Sequence, residues 1–145
     1  MVLKKIYLLL AREKKGQSLT EFAIVSLVLV AILVGIIQFG LIFNAQVKIS
    51  AAAREGARWA SLGKEAGTVR GDVYNLIRNT PCLNVLHEDI FLGPVVEDEY
   101  SPVRGEEIYV YILATVTIIV PFLGRAVGDE FGINAKAPMR YQAYD

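Results

Sequence analysis

Gly16 and Glu21 are the residues whose types and spacing most directly invite chemistry. Lys14, Lys15 and Gly16 are followed by the uncharged Gln17–Thr20, then by the single acid Glu21, and no further charge occurs before Lys48. Glycine has no Cβ, so an enzyme can close tightly on the backbone around it. The chemistry such a site invites is hydrolysis of the Gly16–Gln17 peptide bond. A cut there would leave a free amine on Gln17, one helical turn from the Glu21 carboxylate. A lone carboxylate at the lip of a membrane-length helix is costly in lipid and needs a partner. The new amine, of the same chain or of a neighbour, is the candidate. Removing one member of a buried ion pair typically costs about 3–5 kcal/mol, enough to register each subunit of an assembly at one depth. The bland alternative leaves Glu21 solvated at the headgroup level.

The element that must position these groups is the apolar run Phe22–Phe43, broken only by Ser26 and Gln38. Its 22 residues make about 33 Å of helix at 1.5 Å per residue, enough for a hydrocarbon core of about 30 Å. Gly35 and Gly40 lie inside it, as membrane helices tolerate. Lys4, Lys5, Arg12, Lys14 and Lys15 precede it with Glu13 as the only acid, and an excess of Lys and Arg marks the cytoplasmic flank. Lys14 and Lys15 would also hold the site at an anionic surface, each contributing about 1 kcal/mol. This places residues 1–16 in the cytoplasm and the chain beyond about Gln46 outside, as a single-pass protein of the cytoplasmic (inner) membrane. Three readings of the segment stand side by side. A conventional secretory signal has a shorter apolar core of roughly 7–15 residues. A plain uncleaved anchor gives no reason for Gly16 followed by Glu21. A prepilin-type leader, cut on the cytoplasmic side after Gly16, accounts for both and leaves the helix on the mature protein.

The stretch Gly16-Gln17-Ser18-Leu19-Thr20-Glu21-Phe22-Ala23-Ile24-Val25 resembles the processing site of TadE-like pseudopilins. Gln38–Gln46 resembles the family's helix exit, and Ala52-Ala53-Arg54-Glu55-Gly56-Ala57-Arg58-Trp59-Ala60 lies close to its second signature. The acid–aromatic pair Glu21-Phe22 is weak alone and strong with that second signature at helical distance. The resemblance spans Gly16 to about Ser61. It implies a minor pilin-like component of a tight-adherence (Flp-type) pilus system, and thereby a role in adhesion or secretion. The implied partners are a dedicated prepilin peptidase, other pilins or pseudopilins, the pilus assembly platform and the membrane.

Small residues let helices approach closely in lipid. Ala31 and Gly35 are four apart, and Ala52, Gly56 and Ala60 continue a small stripe beyond the membrane. That stripe suits another subunit's helix or the protein's own sheet equally. Arg54, Glu55 and Arg58 fall on another flank, with Glu55 and Arg58 spaced for an i,i+3 pair. The helix is expected to run from about Leu19 to Leu62 and to stop at Gly63. Gly67–Gly71 is expected to soften the chain before a second helix over Asp72–Asn79, with Val73, Leu76 and Ile77 on one face and Pro81 ending it.

The remainder reads as antiparallel sheet. Ile108, Val110, Ile112, Ala114, Val116, Ile118 and Val120 are apolar at period two, which marks a long amphipathic strand. A second strand is expected over Ile133–Tyr141, with Ile133, Ala135, Ala137, Met139 and Tyr141 inward; Pro138 makes it an edge strand. A third, around Ile90–Val96, is interrupted by Gly93-Pro94. The apolar strand face would bury itself against the extramembrane half of the long helix.

Composition excludes several classes. The 145 residues carry no net formal charge, and no basic stripe with interleaved aromatics supports nucleic-acid binding. Cys82 is the only cysteine, so no intrachain disulfide can form. A Cys82–His87 dyad lacks an identifiable third group. His87, Glu88 and Asp89 are adjacent and point in different directions, unlike metal ligands. The acids of Glu97–Glu99 and Glu106-Glu107 lack the spacing of a calcium loop. The expectation is a non-enzyme without cofactor or metal, of α+β class: a leader at 1–16, a transmembrane and extended helix at 17–62, and a small extracytoplasmic antiparallel-sheet head at 63–145. A single-pass anchored binding module that never polymerises is the alternative.

Overall fold

A computed structural model describes residues 2–96, 99–100, 102–120 and 128–142, with side chains described from Gln17 onward except at 95–100. The helices are α1 (Val2–Ser61) and α2 (Ala66–Ile77). The strands are β1 (Leu83–Asn84), β2 (Ile90–Gly93), β3 (Val95–Val96), β4 (Glu99–Tyr100), β5 (Glu107–Thr117) and β6 (Glu130–Arg140), with one 3-10 turn at His87–Asp89. The chain divides into two compact units, Met1–Ile37 and Gln38–Asp145. The first is the N-terminal part of α1. The second takes in the rest of α1 together with α2 and the strands.

Within the second unit β5 is the centre of an antiparallel sheet. β6 pairs with it along its whole length, from Glu107 opposite Arg140 to Thr117 opposite Glu130. β1 and β2 pair with β5 end to end, at Leu83–Val116 and Ile90–Ile112. β3 and β4 form a separate small ribbon. The period-two reading holds over β5, where Ile108, Val110, Ile112, Ala114 and Val116 are buried, but the strand ends at Thr117, short of the Ile118 and Val120 expected to continue it. On β6, Ile133, Ala135 and Ala137 face the core while Met139 is exposed, and Tyr141 lies beyond the strand, partly buried against the core. Pro138 stands opposite Tyr109 on this outer strand, where its missing N–H removes no ladder bond.

The core lies between sheet and helices. Ala45, Ile49, Ala52, Ala53, Ala57 and Ala60 of α1 recur at helical spacing and are buried, so small residues bring the α1 backbone close to β5. Burial of such faces, at roughly 25 cal/mol per Å² of apolar surface, is the main favourable term for a small head. α1 ends as the sequence indicates. Gly63 has φ +82°, its N–H bonds the Ala60 carbonyl at 3.1 Å, and the Lys64 N–H bonds the Trp59 carbonyl at 3.2 Å. These two bonds form a Schellman cap.

α1 begins at Val2 rather than near Leu19, and two expectations about the second helix also need correction. α2 begins at Ala66, not Asp72, so Gly67 and Gly71 lie inside a helix. Each interior glycine costs about 1 kcal/mol relative to alanine, and packing overrides that cost: the added turns bring Val69 onto the buried stripe with Val73 and Ile77. Leu76, expected on that face, is 54% exposed, because the stripe follows i, i+4, i+8 and turns Leu76 outward.

Candidate functional site

The stretch around Gly16 is helical in backbone. Gly16 lies outside the residues whose side chains are described; Gln17, Glu21 and Phe22 are exposed on the helix surface. Gln17 and Glu21 are four apart and therefore on one face. Ala31 and Gly35 follow on the same element, and a Cβ placed on Gly35 would meet nothing within 4 Å. From Gln17 to Ser61, α1 is long and apolar enough to cross a membrane. Together with its position near the N-terminus, this fits a single-pass membrane protein.

The second signature has a different setting. Ala52 and Ala60 are buried in the head's core. A Cβ on Gly56 would meet Val73 Cγ2 at 2.5 Å and the Val110 methyls at 3.6 Å. Glycine at 56 is therefore what lets α1 pass this close to α2 and β5. This part of the small stripe is occupied by the protein's own head. Arg54 and Arg58 point outward, and Arg58 stands 3.6 Å from Glu55. Arg54 borders an open groove between α1 and β6, shared with Gln46, Ser50 and Lys136.

Sequence reasoning missed the part played by three polar groups along α1. Gln38 is only 4% exposed. Its Oε1 accepts from the Ile119 N–H at 2.9 Å, and its Nε2 donates to the Thr117 carbonyl at 3.4 Å. The side-chain amide thus takes the place of a neighbouring strand's peptide group at the end of β5, where the backbone would otherwise be unpaired. Gln46 Nε2 donates to the Asn134 carbonyl of β6 at 2.9 Å, and the Gln142 N–H donates to the Ser61 carbonyl at 2.8 Å. The signal was present for Gln38, as the one amide inside the apolar run.

Cys82 is half-buried against the core with φ +59°, and its carbonyl accepts from the Thr117 N–H at 2.9 Å. The His87 ring stacks on Tyr74 with centroids 4.2 Å apart. Asp89 Oδ2 accepts from the Leu86 N–H at 2.9 Å, so it caps the 3-10 turn. Among the described residues no group of three or more His, Cys, Asp or Glu side chains could hold a metal ion.

No curated protein and no solved structure matches this chain. The match that exists is confined to the N-terminal part: residues 16–58 fit the family model described as TadE-like protein, so this chain carries a TadE-like segment that starts at Gly16 and runs through α1 into the head.

Proposed function

We propose that the protein is a pseudopilin, a minor pilin-like structural component of a Tad/Flp-type pilus assembly system, trimmed between Gly16 and Gln17 by a prepilin peptidase. The observation that carries this reading is the coincidence, at the start of the TadE-like segment, of Gly16, Glu21 and an apolar helix of spanning length. In this mechanism Lys14 and Lys15 hold the scissile bond at the cytoplasmic face. Cleavage frees the Gln17 amine, and that amine neutralises Glu21 in lipid. The paired groups register the helix beside other pilin-type helices at the assembly platform. The protein's role is structural, without catalysis or cofactor.

Intact mass of the membrane-extracted protein tests the reading. A chain starting at Gln17 supports it; a chain starting at Met1 overturns it. Gly16→Leu is expected to leave the leader attached, by the same measurement. Glu21→Ala is expected to permit trimming yet to reduce co-purification with partner pilins, and unaltered recovery of partners would remove the registry role. One observation favours the alternative of a displayed, non-polymerising binding module. The head itself covers Ala52, Gly56 and Ala60, which removes that part of the small stripe from contact with other helices and leaves small residues such as Ala31 and Gly35.

A further inference from the structure

The folded head and the apolar run overlap. The head begins at Gln38, whereas the run continues to Phe43. Phe22–Ile37 alone gives about 24 Å of helix, short of a hydrocarbon core of about 30 Å. The next six residues belong to the head and still expose large apolar groups: Phe39 is 69% and Phe43 61% exposed. They are one turn apart on one face of α1, while Gln38, Ala45 and Ile49 turn to the core. Ile119, held to Gln38 through its backbone N–H, adds a third large apolar side chain, 59% exposed.

Several polar groups of this rim are paired. The Gln38 amide uses both its ends on Thr117 and Ile119, and the Ile118 N–H bonds the Asp129 carbonyl at 2.9 Å. Backbone groups near lipid require such internal partners. The exposed acids Asp129 and Glu130 lie at the same end of the sheet. A carboxylate in hydrocarbon is costly, so these two fix the depth at the headgroup layer and no deeper. We propose that the rim formed by Phe39, Phe43 and Ile119 is seated in phospholipid, at the headgroup–acyl boundary of the leaflet through which α1 leaves the membrane. The head then rides partly immersed. This inference rests on the membrane-spanning reading of α1.

The test uses the full chain in phosphatidylcholine–phosphatidylglycerol vesicles. Single cysteines are introduced into a Cys82→Ser background and carry an environment-sensitive fluorophore: Leu29→Cys within the span, Phe43→Cys and Ile119→Cys on the rim, and Arg140→Cys at the opposite end of the sheet, across from Glu107. Quenching by lipids bearing a nitroxide at the headgroup or upper acyl chain is compared with quenching by aqueous iodide. The expected result is several-fold stronger lipid than iodide quenching at Phe43 and Ile119, and the reverse at Arg140. Iodide-accessible rim positions with Leu29 in lipid would overturn the immersion while leaving the span intact. A rim shielded from both quenchers means that another protein covers it, and also overturns the proposal. An iodide-accessible Leu29 would instead overturn the membrane reading itself. The two rim cysteines lie on separate segments, so misfolding of one variant leaves the other to decide.

Discussion

Two stretches of one helix, Gln17–Ile37 and Gln38–Ser61, are built for different surroundings. In the first, large apolar side chains such as Leu27, Ile36 and Leu33 are exposed, and Gly35 has open space around it. In the second, alanines are buried and Gly56 is tightly enclosed by Val73 and Val110. The same residue type with the same small neighbours therefore serves opposite ends. A small residue four apart from another signals close approach, but it does not identify the partner. The partner follows from what surrounds that face: a sheet with a period-two apolar face for Gly56, and, among the described residues, nothing within 4 Å for Gly35.

The sharpest way to break that contrast is to place the same leucine at both glycines. Gly56→Leu is expected to destabilise the head at or beyond the top of the roughly 1–3 kcal/mol that overpacking costs, because Val73 and Val110 belong to two elements that cannot both retreat. Gly35→Leu is expected to leave the head's stability unchanged. Thermal unfolding of the detergent-solubilised protein, read as protease resistance of the head, checks both. Equal effects at the two positions would erase the distinction between the stretches.

Much of this arrangement was legible in the sequence, for identifiable reasons. β5 announces itself through apolar residues at period two from Ile108 to Val116, and the end of α1 through Gly63, since both signals are local. The TadE-like segment is legible because its residue types lie close together along one helix, with small residues at Ala52, Gly56 and Ala60 at helical spacing. The start of α2 was hidden because Gly67 and Gly71 oppose a helix locally, and only the burial of Val69 reverses the balance. Likewise the role of Gln38 depends on a strand end 79 residues away in the chain, which no local window contains.

Gln38 offers the second, smaller test, since it is the polar group at the junction of the two stretches. Gln38→Ala leaves the Ile119 N–H and the Thr117 carbonyl without their partner. Leaving such buried groups unsatisfied costs about 1–3 kcal/mol. The expected signature is a lowered denaturation midpoint together with accelerated amide exchange at Ile119, but not at Val110 in mid-strand. Ser26 gives the contrast. Its hydroxyl donates to the Ala23 carbonyl within the same helix at 2.9 Å, so Ser26→Ala should move neither quantity. If Gln38→Ala were equally silent, the amide would be a passenger and the head's border would lie further along α1.

The smallest expected effect concerns the charged part of the second signature. Arg58 and Glu55 form a solvent-accessible i,i+3 pair at 3.6 Å, and exposed pairs of this kind contribute a few tenths of a kcal/mol, less at high salt. Arg58→Ala should therefore shift the unfolding midpoint only slightly, and a salt titration should remove most of the difference. That small value is informative because it separates two explanations for a charged residue inside a family signature. If the fold required Arg58, its loss would approach that of Gln38. If instead Arg58 and its neighbour Arg54 serve contacts made outside the folded chain, each alanine variant should keep the wild-type melting curve while losing co-purified partner. The stripe of small residues and the charges beside it would then divide the work, the former closing the head onto α1 and the latter facing whatever the assembled protein meets.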